Sequence, residues 1–142
     1  MVLAFYLPLE PLKVQALRVV RMAATGALTL CAPSLTRYEL LNALSRAVRG
    51  LKKATAISMP EAGQILEAIA LLQMEEHGIA GLERRILAIT RDHRCTAYDA
   101  SYLALAEHLN ADFLTADQAF RRNLAHHFPR VRFLGEYRPH PG

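Results

Sequence analysis

The sequence has little cysteine and no long hydrophobic run, and both shortages exclude classes of protein. Its two cysteines, Cys31 and Cys95, come without a secretion signal, so we interpret them as free thiols in a reducing cytosol. Lys, Arg and Glu interrupt the apolar segments before any reaches membrane-spanning length. The N-terminus MVLAFYLPLEP has no basic region and no small-residue cleavage site, so it is a poor signal peptide. We therefore expect a cytoplasmic protein with no membrane partner.

Motifs for several kinds of chemistry are also missing. The chain has no glycine-rich phosphate loop, which disfavours a nucleotide-binding Rossmann protein. Its serines lie outside any nucleophile-elbow pattern. His126 and His127 are adjacent, so they lack the i, i+4 spacing of a helical zinc pair, and no Cys–His cluster accompanies them. We interpret these two histidines as surface residues.

The length and charge of the chain limit how many domains it can form and which partners it can bind. Its 142 residues suit a single domain, predicted here over residues 1–137, with a frayed tail at 138–142. The formal net charge of +4 favours polyanionic partners without demonstrating them. Much of the positive excess lies in residues 46–53 (RAVRGLKK) and 121–132 (RRNLAHHFPRVR). The alternative for both segments is an ordinary solvated helix face.

The spacing of apolar residues predicts helices that alternate with short buried strands. Helices are expected at residues 12–25, 35–51 and 97–110, in a segment that starts at Ser58 and ends at Gly78, and around Leu82, Ile86 and Ile89. Ser58, Pro60 and Glu61 form a helix start with a capping box. Strands are expected at residues 28–32, 111–115 and 131–134. This order predicts parallel βα units in a layered α/β fold.

Three carboxylates stand near the ends of the predicted strands. Asp117 comes just after the strand at 111–115, and Glu39 follows the strand at 28–32 a little later. Asp99 opens the helix that leads into the 111–115 strand. Because functional groups of parallel sheets gather at the carboxyl ends of the strands, this topology could bring the three acids to one edge.

Each acid also has a structural interpretation. Thr96 with Asp99, and Thr36 with Glu39, resemble capping boxes, in which the acid bonds the amide of the cap residue. Asp117 could itself cap the following helix. The chemical interpretation needs the acids jointly, because Mg²⁺ or Mn²⁺ takes several oxygen ligands that nearby carboxylates can supply. Both interpretations remain open on the residues alone.

A helical count adds polar residues to Glu39. Glu39, Asn42, Arg46 and Arg49 fall at i, i+3, i+7 and i+10, so they share a face opposite the apolar side of the helix. An acid, an amide and two guanidiniums on one stripe suit a metal ion at one end and phosphates along it. A solvated face is the alternative.

Three blocks of sequence resemble a known family. PSLTRYELLNAL (33–44), TAYDASYLALAE (96–107) and FLTADQAF (113–120), in this order and spacing, are similar to the PIN-domain family, especially its VapC-type toxins. The resemblance implies a three-layer α/β/α domain with a parallel central sheet. It also implies a divalent-metal-dependent endoribonuclease that uses Mg²⁺ or Mn²⁺, commonly a toxin held by a cognate antitoxin. RNA, that antitoxin and a second copy in a homodimer are the expected partners.

The resemblance assigns roles to individual residues of this chain. Three acids match catalytic and metal-binding positions, namely Glu39, Asp99 and Asp117. Two polar residues, Asn42 and Thr115, match positions that support the site. The basic residues expected to contact RNA phosphates are Arg46, Arg49, Arg121 and Arg122.

The chain departs from the family pattern at its N-terminus. The family opens with a strand that ends in an aspartate, whereas VLAFYLPLEP resembles the helix and loop that come after it. We therefore expect the first strand, and the first metal-binding acid with it, to be truncated or missing. A start upstream of Met1 and a shortened, inactive homologue both explain this, and we favour the first, because losing a central strand would expose its neighbours. A non-catalytic PIN-like module that binds RNA or a protein is thus the second functional hypothesis.

Overall fold

The computed structural model describes residues 12–51 and 56–138. These residues form six helices and four strands: α1 Lys13–Ala24, β1 Cys31–Pro33, α2 Thr36–Val48, α3 Met59–Ala70, β2 Glu75–His77, α4 Glu83–His93, α5 Ala97–His108, β3 Phe113–Thr115, α6 Gln118–Leu124 and β4 Val131–Phe133. Their alternation confirms the predicted α/β class. The VLAFYLPLEP segment, Lys52, Lys53 and the tail from residue 139 onward lie outside the described residues.

The contacts divide the chain into two compact units, which we describe separately. The β3 unit comprises residues 32–34 and 77–138 of the described chain. The α2 unit comprises residues 12–31 and 35–76, with 52–55 not described. Nothing in this division tests the predicted single domain over residues 1–137, which stays a prediction.

Three α-helices and a parallel strand pair build the described part of the β3 unit. β3 runs parallel to β4, with Phe113 opposite Val131 and Thr115 opposite Phe133. The buried core joins α4, α5, α6 and β4 through Ile86, Ile89, Ala100, Leu103, Ala104, Leu124, Phe128 and Val131. Half of the residues of α5 are Ala or Leu, and this burial explains why, because a helix packed on several sides needs apolar residues at the buried positions.

The α2 unit has its own small core. Leu40 and Leu44 of α2 pack against Ile65 of α3, and Ile57 and Ile69 complete the cluster. These contacts confirm the apolar face predicted for the helix at 35–51. Among the helices of the described residues, none combines the length and apolarity that a membrane span requires.

Two predicted boundaries are wrong. The strand expected at residues 28–32 is observed at Cys31–Pro33, and within the predicted run only Ala32 is buried. The segment expected to end at Gly78 stops being helical at Ala70, and β2 follows as Glu75–His77. β2 pairs with β1 in a two-stranded sheet. Its Glu-Glu-His sequence is polar and largely exposed, and a search for apolar runs cannot detect such a strand.

The predicted start of α3 is confirmed. The Ser58 hydroxyl accepts a hydrogen bond from the Glu61 amide at 3.3 Å, and the Ser58 amide donates to Glu61 Oε2 at 2.7 Å. The bonds from the Ser58 amide and then its hydroxyl hold the pKa of the Glu61 carboxyl below its ordinary value. The capping box is therefore complete on both sides.

Thr36 is not the N-cap of α2, contrary to the capping box expected at Thr36 and Glu39. The residue before the first turn of α2 is Leu35, whose helical φ of −62° and ψ of −21° start the helix one residue early. Thr36 is already inside the helix and is 6% exposed. Glu39 therefore does not occupy the position from which an acid closes a capping box, and this structural interpretation of Glu39 is wrong.

Candidate active site

Asp99 is held at the start of α5. Thr96, in an extended conformation, accepts a hydrogen bond from the Asp99 amide at its Oγ1, over 3.1 Å. The same hydroxyl donates to Asp99 Oδ2 at 2.7 Å. The predicted cap is thus confirmed, although the carboxylate bonds the hydroxyl of Thr96 in place of its amide. These bonds fix a half-buried carboxylate at the helix N-terminus.

Asp117 is held in a similar way at the start of α6. Its Oδ1 accepts a hydrogen bond from the Phe120 amide at 2.9 Å, which confirms the predicted N-cap. The Asp117 amide donates to Thr115 Oγ1 at 3.1 Å. Thr115 is the last residue of β3 and is 2% exposed, so a buried hydroxyl sets the direction in which the chain leaves the strand. Thr115 thereby positions Asp117.

A row of three aromatic rings connects both helix starts to β3. The Tyr102 and Phe113 ring centroids lie 5.8 Å apart, and those of Phe113 and Phe120 lie 6.3 Å apart. Tyr102 stands about one turn after Asp99, and Phe120 about one turn after Asp117. Because α5 returns into β3 through a short turn, its N-terminus points toward the carboxyl end of that strand. Asp99 and Asp117 are therefore expected at the same edge of the β3 unit.

Capping and metal binding are compatible for these two acids. Each cap bond described above occupies one carboxylate oxygen, Oδ2 of Asp99 and Oδ1 of Asp117. An ionised carboxylate has two oxygens and about four acceptor positions. Carboxylate oxygens are hard donors that suit Mg²⁺ or Mn²⁺, so the residues present fit the ion that the resemblance implies.

The thiol nearest in sequence to Asp99 does not change this donor set. Burial raises the pKa of the Cys95 thiol, and the negative charge of Asp99 raises it further. A cysteine sulfur is also a soft donor, whereas Mg²⁺ and Mn²⁺ prefer carboxylate oxygens. The candidate site remains one of oxygen donors.

Glu39 and the polar residues predicted on its helix face lie in the α2 unit. Glu39 is half-buried in α2, Asn42 and Arg46 on the same helix are exposed, and so is Arg49 directly after it. The predicted polar stripe is thus observed opposite the buried Leu40. Its basic residues face solvent, which both the phosphate-contact and the solvated-face interpretations require.

The two arginines of α6 differ in their surroundings. Arg122 is exposed. Arg121 is half-buried, and its Nη2 lies 3.8 Å from Glu136 Oε2. Its Nε is buried without a hydrogen-bond partner among the described residues. Arg122 is consequently the member of the pair better placed to meet a phosphate in solution.

Two exposed tyrosines were missed at the sequence level. Tyr98 is 62% exposed and directly precedes Asp99, and Tyr38 is 78% exposed and directly precedes Glu39. The signal was present in the printed sequence as the tripeptides RYE and AYD. The spacing of apolar residues does not reveal it, because an exposed and a buried tyrosine fit the same helical pattern.

Carboxylates at the carboxyl end of a parallel strand pair define a candidate divalent-metal hydrolase. The family model described as PIN domain matches residues 9–123, a range that includes each of the candidate residues above. Ribonuclease VapC3 from Pyrobaculum aerophilum is 34% identical to this chain over 131 residues, which cover 90% of this chain and 89% of that protein. The chain therefore belongs to the PIN-domain family, of VapC type.

Proposed function

We propose that this protein is a divalent-metal-dependent endoribonuclease that hydrolyses RNA phosphodiester bonds. Its family and its similarity to a protein named as a ribonuclease support the substrate class. The observation that carries the proposal is that two carboxylates are oriented by hydrogen bonds, Asp99 at the start of α5 and Asp117 directly after β3. Hydrogen bonds that orient an acid in advance reduce the cost of gathering charge around a cation.

The proposal gives each residue a role. Asp99 and Asp117 hold the cation, and the family resemblance assigns Glu39 the same role and Asn42 a supporting one. Thr115 orients Asp117 through its amide. When bound, Mg²⁺ or Mn²⁺ supplies positive charge that polarises the phosphate and lowers the pKa of an attacking water. The acids of the chain hold this charge in place without themselves reacting.

The test is an RNA cleavage assay with the purified protein. An RNA labelled at one end should give internal cleavage products in Mg²⁺ or Mn²⁺ and none in EDTA. Internal products distinguish an endonuclease from an exonuclease, which shortens the RNA progressively. An RNA that is bound with or without metal but is cut in neither condition would support the second hypothesis, a non-catalytic module.

We further propose that exposed arginines contact the RNA backbone. Replacing Arg49 or Arg122 by Ala should weaken binding of a single-stranded RNA and lower the slope of log affinity against log salt by about 0.7 for each lost phosphate contact. Arg46 should behave like Arg49, and Arg121 less so, because Glu136 lies beside it. Binding is measured by fluorescence anisotropy between about 50 and 200 mM salt.

A matched control for the arginine series lies on α4. Arg84 is exposed in the first turns of that helix, so Arg84→Ala removes the same charge from a different surface. Its salt slope should equal that of the unmodified protein. Equal slopes in all the variants would show that Arg49 and Arg122 contact solvent and not RNA phosphates.

We also propose that the protein is the toxin of a toxin–antitoxin pair and forms a homodimer. Large apolar side chains exposed in the α2 unit support a protein partner, namely Tyr38, Leu41, Met59, Leu66 and Leu71. Expression should arrest bacterial growth, Asp99→Asn should relieve the arrest, and the product of an adjacent small gene should copurify and restore growth. Light scattering should give the mass of a dimer. Equal growth of cells that express the unmodified protein and Asp99→Asn would contradict the toxin role. A monomeric mass would contradict the homodimer.

A further inference from the structure

We infer that the Tyr98 ring is a platform on which an unpaired base of the RNA substrate stacks beside the scissile phosphate. This inference rests on the proposed function and deepens it. It adds to the carboxylates and arginines a contact with the base itself, and it limits the substrate to RNA whose bases are accessible.

The position of Tyr98 follows from its neighbours on α5. Tyr98 precedes Tyr102 by four residues, so the two side chains share one face of the helix. Tyr102 contacts Phe113 at the start of β3. Side chains on a helix lean toward its N-terminus, so the Tyr98 ring extends toward the start of α5, the end of the helix that also carries Asp99.

Exposure separates Tyr98 from the rest of its helical row. Leu105, farther along the same face, is 5% exposed, and Tyr102 is half-buried. Tyr98 is 62% exposed, which leaves much of its ring open to a ligand. An aromatic ring can contact any base through its π-face, and such stacking does not depend on base identity. The contact therefore suits a nuclease whose phosphate contacts carry no sequence information.

The chemistry of this edge favours a nucleotide over other occupants. Two carboxylates repel a phosphate until a cation neutralises them, whereas a contact with the uncharged base does not meet that repulsion. Stacking supplies such a contact without charge. Bases in a duplex are already stacked and paired, whereas those of single strands and loops can be splayed onto an aromatic side chain. The expected ligand is thus an unpaired nucleotide.

The test compares Tyr98→Ala, Tyr98→Phe and the unmodified protein as full chains. Binding of a 12-nucleotide single-stranded RNA and of the same sequence in a duplex is measured in EDTA, which prevents cleavage. Tyr98→Ala should raise the Kd for the single strand about tenfold and leave the duplex Kd unchanged. Tyr98→Phe keeps the ring and should stay within about twofold of the unmodified protein. A 2-aminopurine base in the RNA should lose its fluorescence quenching only in Tyr98→Ala.

Controls separate the possible failures. Leu87→Ala removes a side chain of similar exposure, 66%, from α4 and should not affect RNA binding. Unchanged single-strand affinity in Tyr98→Ala would overturn the inference and leave the proposed function intact. The same conclusion would follow if Tyr98→Ala lost binding to a protein partner but not to RNA. Equal loss in Tyr98→Phe would assign the effect to the hydroxyl and overturn stacking. Absence of RNA binding by the unmodified protein would overturn the proposed function itself.

Discussion

Replacing Asp99 by Asn is expected to lower RNA cleavage about 10²–10³-fold while the protein remains folded. Asparagine has the shape of aspartate, and its carbonyl can still accept the hydrogen bond from the Thr96 hydroxyl. What it loses is the negative charge that holds a cation. Charge stabilisation by a bound metal is worth several kcal/mol, and each 1.4 kcal/mol corresponds to about a factor of ten in rate. The rate is measured as initial cleavage of a labelled RNA in Mg²⁺.

Two controls make the Asp99 result specific. Asp92→Asn neutralises an exposed acid of α4 that pairs with Arg91, and it should cleave at the rate of the unmodified protein. Thermal denaturation of Asp99→Asn in EDTA should match that of the unmodified protein, because the cap is kept. Cleavage at an undiminished rate by Asp99→Asn would show that Asp99 is only a capping residue.

Two substitutions at Asp117 are expected to separate its capping role from its metal-binding role. Asn and Asp are comparable N-caps, so Asp117→Asn should retain the free energy of unfolding measured without metal. Asp117→Ala removes the acceptor for the Phe120 amide and should lower that free energy by about 1 kcal/mol. Both variants should lose cleavage about as severely as Asp99→Asn. Urea denaturation in EDTA gives the free energies, and the RNA assay gives the rates.

The comparison between the two Asp117 variants decides what the residue does. If Asp117→Asn cleaved RNA normally and Asp117→Ala were impaired only as far as its stability fell, Asp117 would serve α6 alone. The metal-site interpretation requires the opposite pattern, in which stability distinguishes the two variants and cleavage does not.

Much of the fold could be predicted because the signals for a helix come from residues close together in the sequence. The capping box of Ser58 and Glu61 and the apolar face containing Leu40 and Leu44 depend on residues only three or four positions apart. Short strands do not have this property. β2 is three polar residues long, and it is a strand because of its pairing with β1, a partner far away in sequence.

The sequence predicts which residue types form the candidate site better than it predicts how they are arranged. Asp99 and Asp117 could be proposed because they follow recognisable helix and strand boundaries, and the structure confirms both caps. The cap expected at Thr36 was wrong, because Leu35 adopts a helical backbone that its sequence does not reveal. Tyr98 could be located on a face of α5, but its exposure depends on which elements pack beside that face. That information lies in the tertiary contacts.

The most direct test of the central claim is a Mn²⁺ titration of the protein, followed by the electron paramagnetic resonance signal of the free ion. The account predicts that Asp99→Asn and Asp117→Asn each weaken Mn²⁺ binding at least about tenfold. Because the two acids are proposed to share one ion, the double variant should bind little worse than the weaker single variant, a clear departure from additivity. Affinities equal to that of the unmodified protein in all three variants, or losses that simply add, would contradict a shared metal site.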